Sequence, residues 1–314
     1  MKRTCLKGIL LGLLFILAVV AGQPHLSYAA ADGGRTAADF LLIGIGARPA
    51  GMGGAYTAVA EGALAAYWNP AGLTNVEEGE VVLGHYSWIQ DITLEHGTVA
   101  YNVNDRAKAA LSVTYLDYGR IEAYDALGAY AGELSAYDLA MALSVGYQAR
   151  DDLAVGLTGK IINQKLDDIS GTSYAIDLGA TYMRGDFTLA AVLANFGKNM
   201  MFESVEENLP LSLRLGAATR LWKQAILASV DMEKEIYGGT VIRHGLEFNR
   251  DGQYFVRTGL NYYPGQDYRS LGTGLTLGAG VRLNQLEFDY ALSLTEQYSS
   301  ENLHRFSLVF KFSK

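Results

Sequence analysis

The chain has 314 residues, with 25 Lys and Arg against 33 Asp and Glu, for a formal net charge of −8. It holds no basic tract, which excludes nucleic-acid binding driven by counterion release. Its single cysteine, Cys5, sits in the first few residues, so the rest of the chain has no disulfide and no cysteine–zinc site.

Residues 1–29 read as a secretory signal peptide. Lys2, Arg3 and Lys7 make a basic start, Ile9 to Ala21 is a continuous apolar run, and Ser27, Ala29 and Ala30 surround a cleavage point after Ala29. Cys5 lies ahead of the apolar run, whereas a lipoprotein needs its cysteine at the cleavage point. Beyond this leader no apolar run is long enough for a membrane helix.

Residues 30–78 precede the strands, and within them Ala37 to Leu73 is dense in Gly and Ala and lacks period-2 alternation. A short helix is expected from about Tyr56 to Ala66. Asn69-Pro70 should end it, since a residue before proline is pushed out of the α region. Such a segment cannot lie bare in hydrocarbon with unpaired backbone groups. It is expected inside the lumen of whatever follows, as a plug whose small residues let backbone approach a wall.

From residue 79 to 314 the pattern changes to alternating strands. In the clearest, Leu286, Phe288, Tyr290 and Leu292 face one way and Glu287, Asp289, Ala291 and Ser293 the other. Tyr174, Ile176, Leu178 and Tyr182 alternate with Ala175, Asp177, Gly179 and Thr181, and the stretches at Tyr254–Tyr262 and Phe306–Phe312 behave alike. The bulky faces are nearly uncharged and end in aromatic residues, as girdles at two membrane interfaces would. A water-soluble barrel would turn the bulky side inward.

Fourteen strands are predicted, near 79–88, 94–104, 107–118, 133–149, 152–166, 172–183, 186–196, 209–222, 224–233, 239–249, 252–263, 271–284, 285–295 and 303–313. Short connections (104–106, 150–151, 184–186, 223–224, 249–252, 284–285) alternate with longer ones (117–132, 167–171, 197–208, 234–238, 264–270, 296–302). One short end and one long end is the layout of periplasmic turns and extracellular loops. The fold class is therefore all-β, a transmembrane antiparallel up-and-down barrel with an N-terminal lumenal plug containing short helices. Both termini then fall on the periplasmic side, in the outer membrane of a double-membraned bacterium. The chain ends Phe310-Lys311-Phe312-Ser313-Lys314, with the aromatic two positions ahead of the usual last-residue place.

No catalytic site, metal site or cofactor is expected. His85, His96, His244 and His304 are scattered, with no His-x-x-x-His pair and no Gly-x-Ser-x-Gly elbow. Lys160, Asp177, Arg214, Arg220, Asp231, Arg257, Arg282, Glu287, Asp289 and Arg305 point inward on the alternation. Both signs occur, which suits pairing across the lumen and to the plug better than a selective ring. Asp167-Asp168 and Glu203, Glu206 and Glu207 read as solvated loop charge. The apolar loop at Met200, Met201 and Phe202 is a candidate contact for a ligand or partner, or a cover over the barrel mouth.

The blocks Ala47-Arg48-Pro49-Ala50-Gly51-Met52-Gly53-Gly54-Ala55 and Ala65-Ala66-Tyr67-Trp68-Asn69-Pro70-Ala71-Gly72-Leu73 resemble the PorV/PorQ family of outer-membrane proteins, and more distantly the FadL-like fatty-acid transporters. The resemblance implies a fourteen-stranded barrel with an N-terminal hatch, and marks Arg48, Gly51, Met52, Gly53, Gly54, Trp68, Asn69 and Pro70 as candidate hatch or gate residues. It also implies partners: outer-membrane lipid, and either type IX secretion machinery and secreted cargo or hydrophobic small molecules. The PorV-like reading is non-enzymatic help in protein secretion or surface delivery. The alternative is a FadL-like channel for long-chain fatty acids, which the modest predicted loops disfavour.

Overall fold

Alternation of bulky and small side chains suits a wall with hydrocarbon on one side and a packed interior on the other, and that wall is what forms. The computed structural model describes residues 36–87, 92–264, 274–294 and 303–312. The expected signal peptide lies outside the described residues, as do, Pro264 apart, the connections expected at 264–270 and 296–302.

The strands in chain order are β1 (Gly79–Ser87), β2 (Thr93–Asn102), β3 (Ala107–Asp117), β4 (Ile121–Tyr124), β5 (Tyr130–Leu134), β6 (Ala136–Arg150), β7 (Leu153–Leu166), β8 (Ile169–Arg184) and β9 (Phe187–Gly197). They continue with β10 (Met200–Phe202), β11 (Val205–Glu207), β12 (Ser212–Leu221), β13 (Ile226–Glu235), β14 (Thr240–Arg250), β15 (Tyr254–Tyr262), β16 (Leu275–Leu283), β17 (Leu286–Ser293) and β18 (Leu303–Phe312). Fourteen of them form one closed antiparallel barrel in sequence order, and the pairs β4–β5 and β10–β11 stand apart as small hairpins. The barrel closes where β1 meets β18, from Gly79 opposite Phe312 to Ser87 opposite His304. Closure leaves no strand edge to seek an outside partner, which a spanning sheet requires.

The pleat has the sense expected for a membrane. On β17, Phe288 is 51% exposed while Glu287 and Asp289 are each 4% exposed. Tyr254, Val256 and Leu260 look outward on β15, and Arg257 between them is buried. One end of the barrel carries the tight connections 103–106, 151–152, 185–186, 222–225, 251–253 and 284–285, and the other carries both hairpins. One expected long connection is not long. Between β7 and β8 the turn is Asp167-Asp168 alone, with Leu166 paired to Ile169. Asp167 takes a left-handed backbone (φ 54°) that Asp tolerates, so the hairpin runs on through residues read as loop.

Residues 36–78 pack against the inner wall. They form 3-10 turns at Asp39–Leu42 and Pro70–Asn75 and two short helices, α1 (Ala47–Gly51) and α2 (Ala65–Trp68). Ile45, Met52, Tyr56, Ala63 and Leu73 are fully buried there. The helix expected over 56–66 is not present: only its last two residues enter α2, and 57–64 are irregular, with turns at 57–59 and 63–64. Backbone groups that a helix would use are taken by the wall. The Thr57 N–H donates to Asp231 Oδ2 at 2.7 Å and the Ala63 N–H to Glu80 Oε1 at 2.8 Å. Gly62 between them sits at φ 64°, with a Cβ position only 2.3 Å from Glu80 Oε1. α1 carries Pro49 in its first turn, which tolerates proline because an N–H there has no intrahelical acceptor.

Candidate functional site

Besides its apolar packing and the Asp231 and Glu80 bonds to its backbone, three kinds of contact hold the lumenal segment. The first is ionic and begins at Arg48 in α1. Its guanidinium grips Glu247 of β14 with two bonds, Nε to Oε2 at 2.8 Å and Nη2 to Oε1 at 3.0 Å. Nη1 reaches Glu61 Oε1 at 2.5 Å and the Tyr56 hydroxyl at 3.3 Å. Glu247 also accepts from Arg257 Nε at 2.6 Å, and Arg257 in turn meets Asp289 at 2.5 Å and Glu287 at 3.6 Å. Arg282 lies against Glu287 at 2.5 Å. Charge thus alternates in an unbroken row from the segment into the wall, which is how buried ions avoid an uncompensated desolvation cost. Burial works to raise the Glu61 carboxyl, but the Arg48 guanidinium overrides it and the pKa lies below the ordinary value.

The second contact is made by Asn69. Its Nδ2 donates to the Thr57 carbonyl at 3.0 Å and to Thr181 Oγ1 on β8 at 2.9 Å, while Oδ1 accepts from the Ala71 N–H at 3.1 Å. Trp68 beside it donates from its indole to the Ile45 carbonyl at 2.7 Å and packs edge-on to Tyr56 at 5.8 Å. Arg214, held by Glu233 at 3.0 Å, lies over the Trp68 ring at 5.6 Å.

The third contact is backbone on backbone. A Cβ at Gly259 on β15 would stand 2.1 Å from the Gly53 nitrogen, and one at Gly156 on β7 would stand 2.3 Å from the Ala71 nitrogen. No side chain fits between segment and wall at these points.

The two sequence blocks therefore serve different sides of the barrel. Arg48, Gly51, Met52, Gly53 and Gly54 seat against β14, β15 and β16, whereas Asn69 and Pro70 seat against β7 and β8. The strand order puts those wall sections nearly opposite one another. Trp68 and Tyr56 join the two blocks across the interior. They do not converge on one pocket.

The remaining sequence candidates fall elsewhere. Met200 is not a loop tip: it is fully buried in β10 and covers Gly171 of β8. Phe202 packs on the same core, and Met201 is exposed. Lys160 pairs with Asp177 at 2.7 Å, and Arg220 approaches Glu61 at 3.8 Å. Among the described residues no cluster of His, Cys, Asp and Glu is arranged to hold a metal. Glu61, Glu80, Glu233, Arg243 and Glu247 are anchors that sequence reasoning did not single out. For Glu80, Glu233, Arg243 and Glu247 the signal existed, since each falls on the inward phase of its strand.

The family model described as Type IX secretion system protein PorV matches residues 31–234, which span the lumenal segment and the strands through most of β13. The chain belongs to the PorV family. No curated protein matches it. Several solved structures share the architecture of this PorV-family chain. The CymD monoaromatic hydrocarbon channel has a TM-score of 0.62 at 15% identity, covering 87% of this chain and 99% of that one. The Pseudomonas putida toluene transporter TodX has 0.60 at 14%, covering 85% and 96%. A Pseudomonas aeruginosa FadL homologue has 0.57 at 11%, covering 85% and 98%. At such identities the likeness carries the fold alone. PorV-family membership and this fold make the chain an outer-membrane β-barrel.

Proposed function

We propose that this protein is a non-enzymatic partner barrel of PorV type, which assists secretion or surface delivery of proteins at the outer membrane. The observation that carries the reading is the filled lumen. A segment tied to two nearly opposite walls by Arg48–Glu247, by Asn69–Thr181 and by contacts too close for a Cβ is suited to sealing a barrel. Membership of the PorV family supports the same reading. In it residues 1–29 are a cleaved signal peptide, residues 30–78 a plug, residues 79–314 the barrel, and both termini periplasmic. Arg48, Gly51, Met52, Gly53, Gly54, Trp68, Asn69 and Pro70 then act as plug anchors and not as a moving gate. The surface offered to a secreted partner is the hairpin end, where Met201 is exposed.

The alternative is a channel for hydrophobic small molecules, favoured by the apolar character of the ligands named for the structurally similar channels. Two measurements separate the readings. Co-purification of secretion-machinery proteins or cargo with the barrel from detergent-solubilised membranes is the expected result. Restored uptake of labelled fatty acid in a transporter-deficient strain, with no protein partner recovered, would overturn it.

A further inference from the structure

A recess of about 770 Å³ lies on the outer face of the barrel, across the seam where β1 meets β18. Leu83, Gly97, Val113, Ala279, Phe288 and Phe306 line it. Leu83, Phe288 and Phe306 are each at least half exposed, so the recess belongs to the hydrocarbon-facing surface and not to the lumen. The wall beneath it is unbroken. β1 pairs with β18 from Gly79–Phe312 to Ser87–His304, and β16, β17 and β18 pair in continuous register. It is a hollow, not a portal.

The inner side of the same wall explains the hollow. Facing α1 it presents Gly278, Ala291 and Ser307. The Ala47 N–H donates to Ser307 Oγ at 2.8 Å, Ala47 and Ala50 pack on Ala291, and Gly51 approaches Gly278 so closely that a Cβ there would meet its Cα at 2.9 Å. Small residues let the wall sit tight on the helix. Outside, Gly97 and Ala279 add no bulk to fill the space left.

The rim carries ionisable groups. His85 and Glu95 face each other across β1 and β2, ring Nδ1 to Oε1 at 2.6 Å, with side chains 51% and 52% exposed. Ionisable groups on a lipid face are costly at mid-depth and cheap near the head groups. These two stand near Ser87 and Thr93, the ends of their strands on the hairpin side. Tyr290, hydrogen-bonded to His304 at 2.8 Å, flanks them.

We propose that the recess binds one acyl chain of an outer-membrane lipid, with the polar head held at the His85–Glu95 rim. The occupant follows from continuity with the hydrocarbon-facing surface and from the rim, which lies on the hairpin side, where an imidazole and a carboxylate match the phosphate and the sugar hydroxyl and amide groups of a lipid A-type head. Binding here is independent of whether the barrel serves secretion or transport.

The test is native mass spectrometry of the full chain in mild detergent, titrated with lipid A and, in a parallel arm, with dioleoyl phosphatidylethanolamine, whose equal retention would overturn the proposal. One lipid should stay bound at detergent levels that strip all others. Gly97→Leu places bulk in the hollow at a position where the added Cβ meets only Leu83 Cδ2, at 3.8 Å. It should lower retention about tenfold or more by displacing buried methylene groups. The pair His85→Ala and Glu95→Ala, which leaves the hollow intact, should lower retention by a smaller factor. Ala279→Phe gives a second filling variant, and heat-shifted mobility in SDS verifies each fold. Equal retention by the wild type and the filling variants would overturn the proposal. So would a retained free fatty acid or peptide in place of the lipid, or no retained adduct at all.

Discussion

Replacing Arg48 by Met removes the guanidinium while keeping most of the side-chain volume. In the wild type that group closes a two-bond grip on Glu247 and a third bond to Glu61. Breaking a buried ion pair from one side costs ~3–5 kcal/mol, because the abandoned charge stays buried. Here Glu247 keeps Arg257 at 2.6 Å, and Glu61 is a third exposed and keeps Arg220 at 3.8 Å. The lower bound is the appropriate figure, ~3 kcal/mol. If the segment opens locally, hydrogen exchange of amides over 47–61 should speed up roughly 100- to 200-fold. Exchange in β6–β8, on the far wall, should stay as in the wild type. Glu247→Gln should have an equal or larger effect, and adding Arg48→Met to it should cost less than the single change did, since both act on one bond set. Protection over 47–61 that stays within about threefold of the wild type would show that backbone packing alone holds the segment, and would refute the ionic account.

Asn69→Ala leaves Thr181 and the Thr57 carbonyl without their donor, and should weaken the second anchor by ~1–3 kcal/mol, read as faster protease cleavage between 57 and 75 with the barrel intact. Gly259→Leu cannot coexist with Gly53 in place, so the barrel should still shift its mobility on heating in SDS while residues 47–61 become protease-sensitive. The Glu61 carboxyl has a folded-state pKa below the unfolded value, so its bond to Arg48 stabilises the segment above the ordinary carboxylate range and is lost as pH falls through the depressed value. Acidification should loosen residues 47–61 in the wild type, and Glu61→Gln should flatten that dependence when exchange is followed against pH.

The barrel was legible because its wall separates two environments at every second residue. Phe288 and Glu287 differ by one position and face hydrocarbon and interior, so the pattern in β17 could be read outright. Turns such as Asn284-Gln285 were legible for the same reason, since alternation stops at them. The lumenal segment was not. Its conformation is set by wall groups far off in sequence, Asp231 holding Thr57 and Glu80 holding Ala63, and local propensity over 56–66 pointed to a helix the wall does not allow. Arg48 and Asn69 stood out by their motifs, but nothing in the motifs showed that they serve nearly opposite walls. The hairpin β10–β11 falls within the connection expected at 197–208, because strands of three residues are too short to show alternation. The burial of Met200 depends on Gly171, which leaves room for it.

The bonds from Ala47 to Ser307 and from Arg48 to Glu247 join residues 260 and 199 positions apart. Neither can form until strands far along the chain are in place, β14 for Arg48 and β18 for Ala47. Contacts of such high order slow folding, since loop-closure entropy must be overcome before any reward arrives. β1 and α1 both use β18, the one by strand pairing and the other through Ser307, so closing the ring also completes the seat of the segment within it.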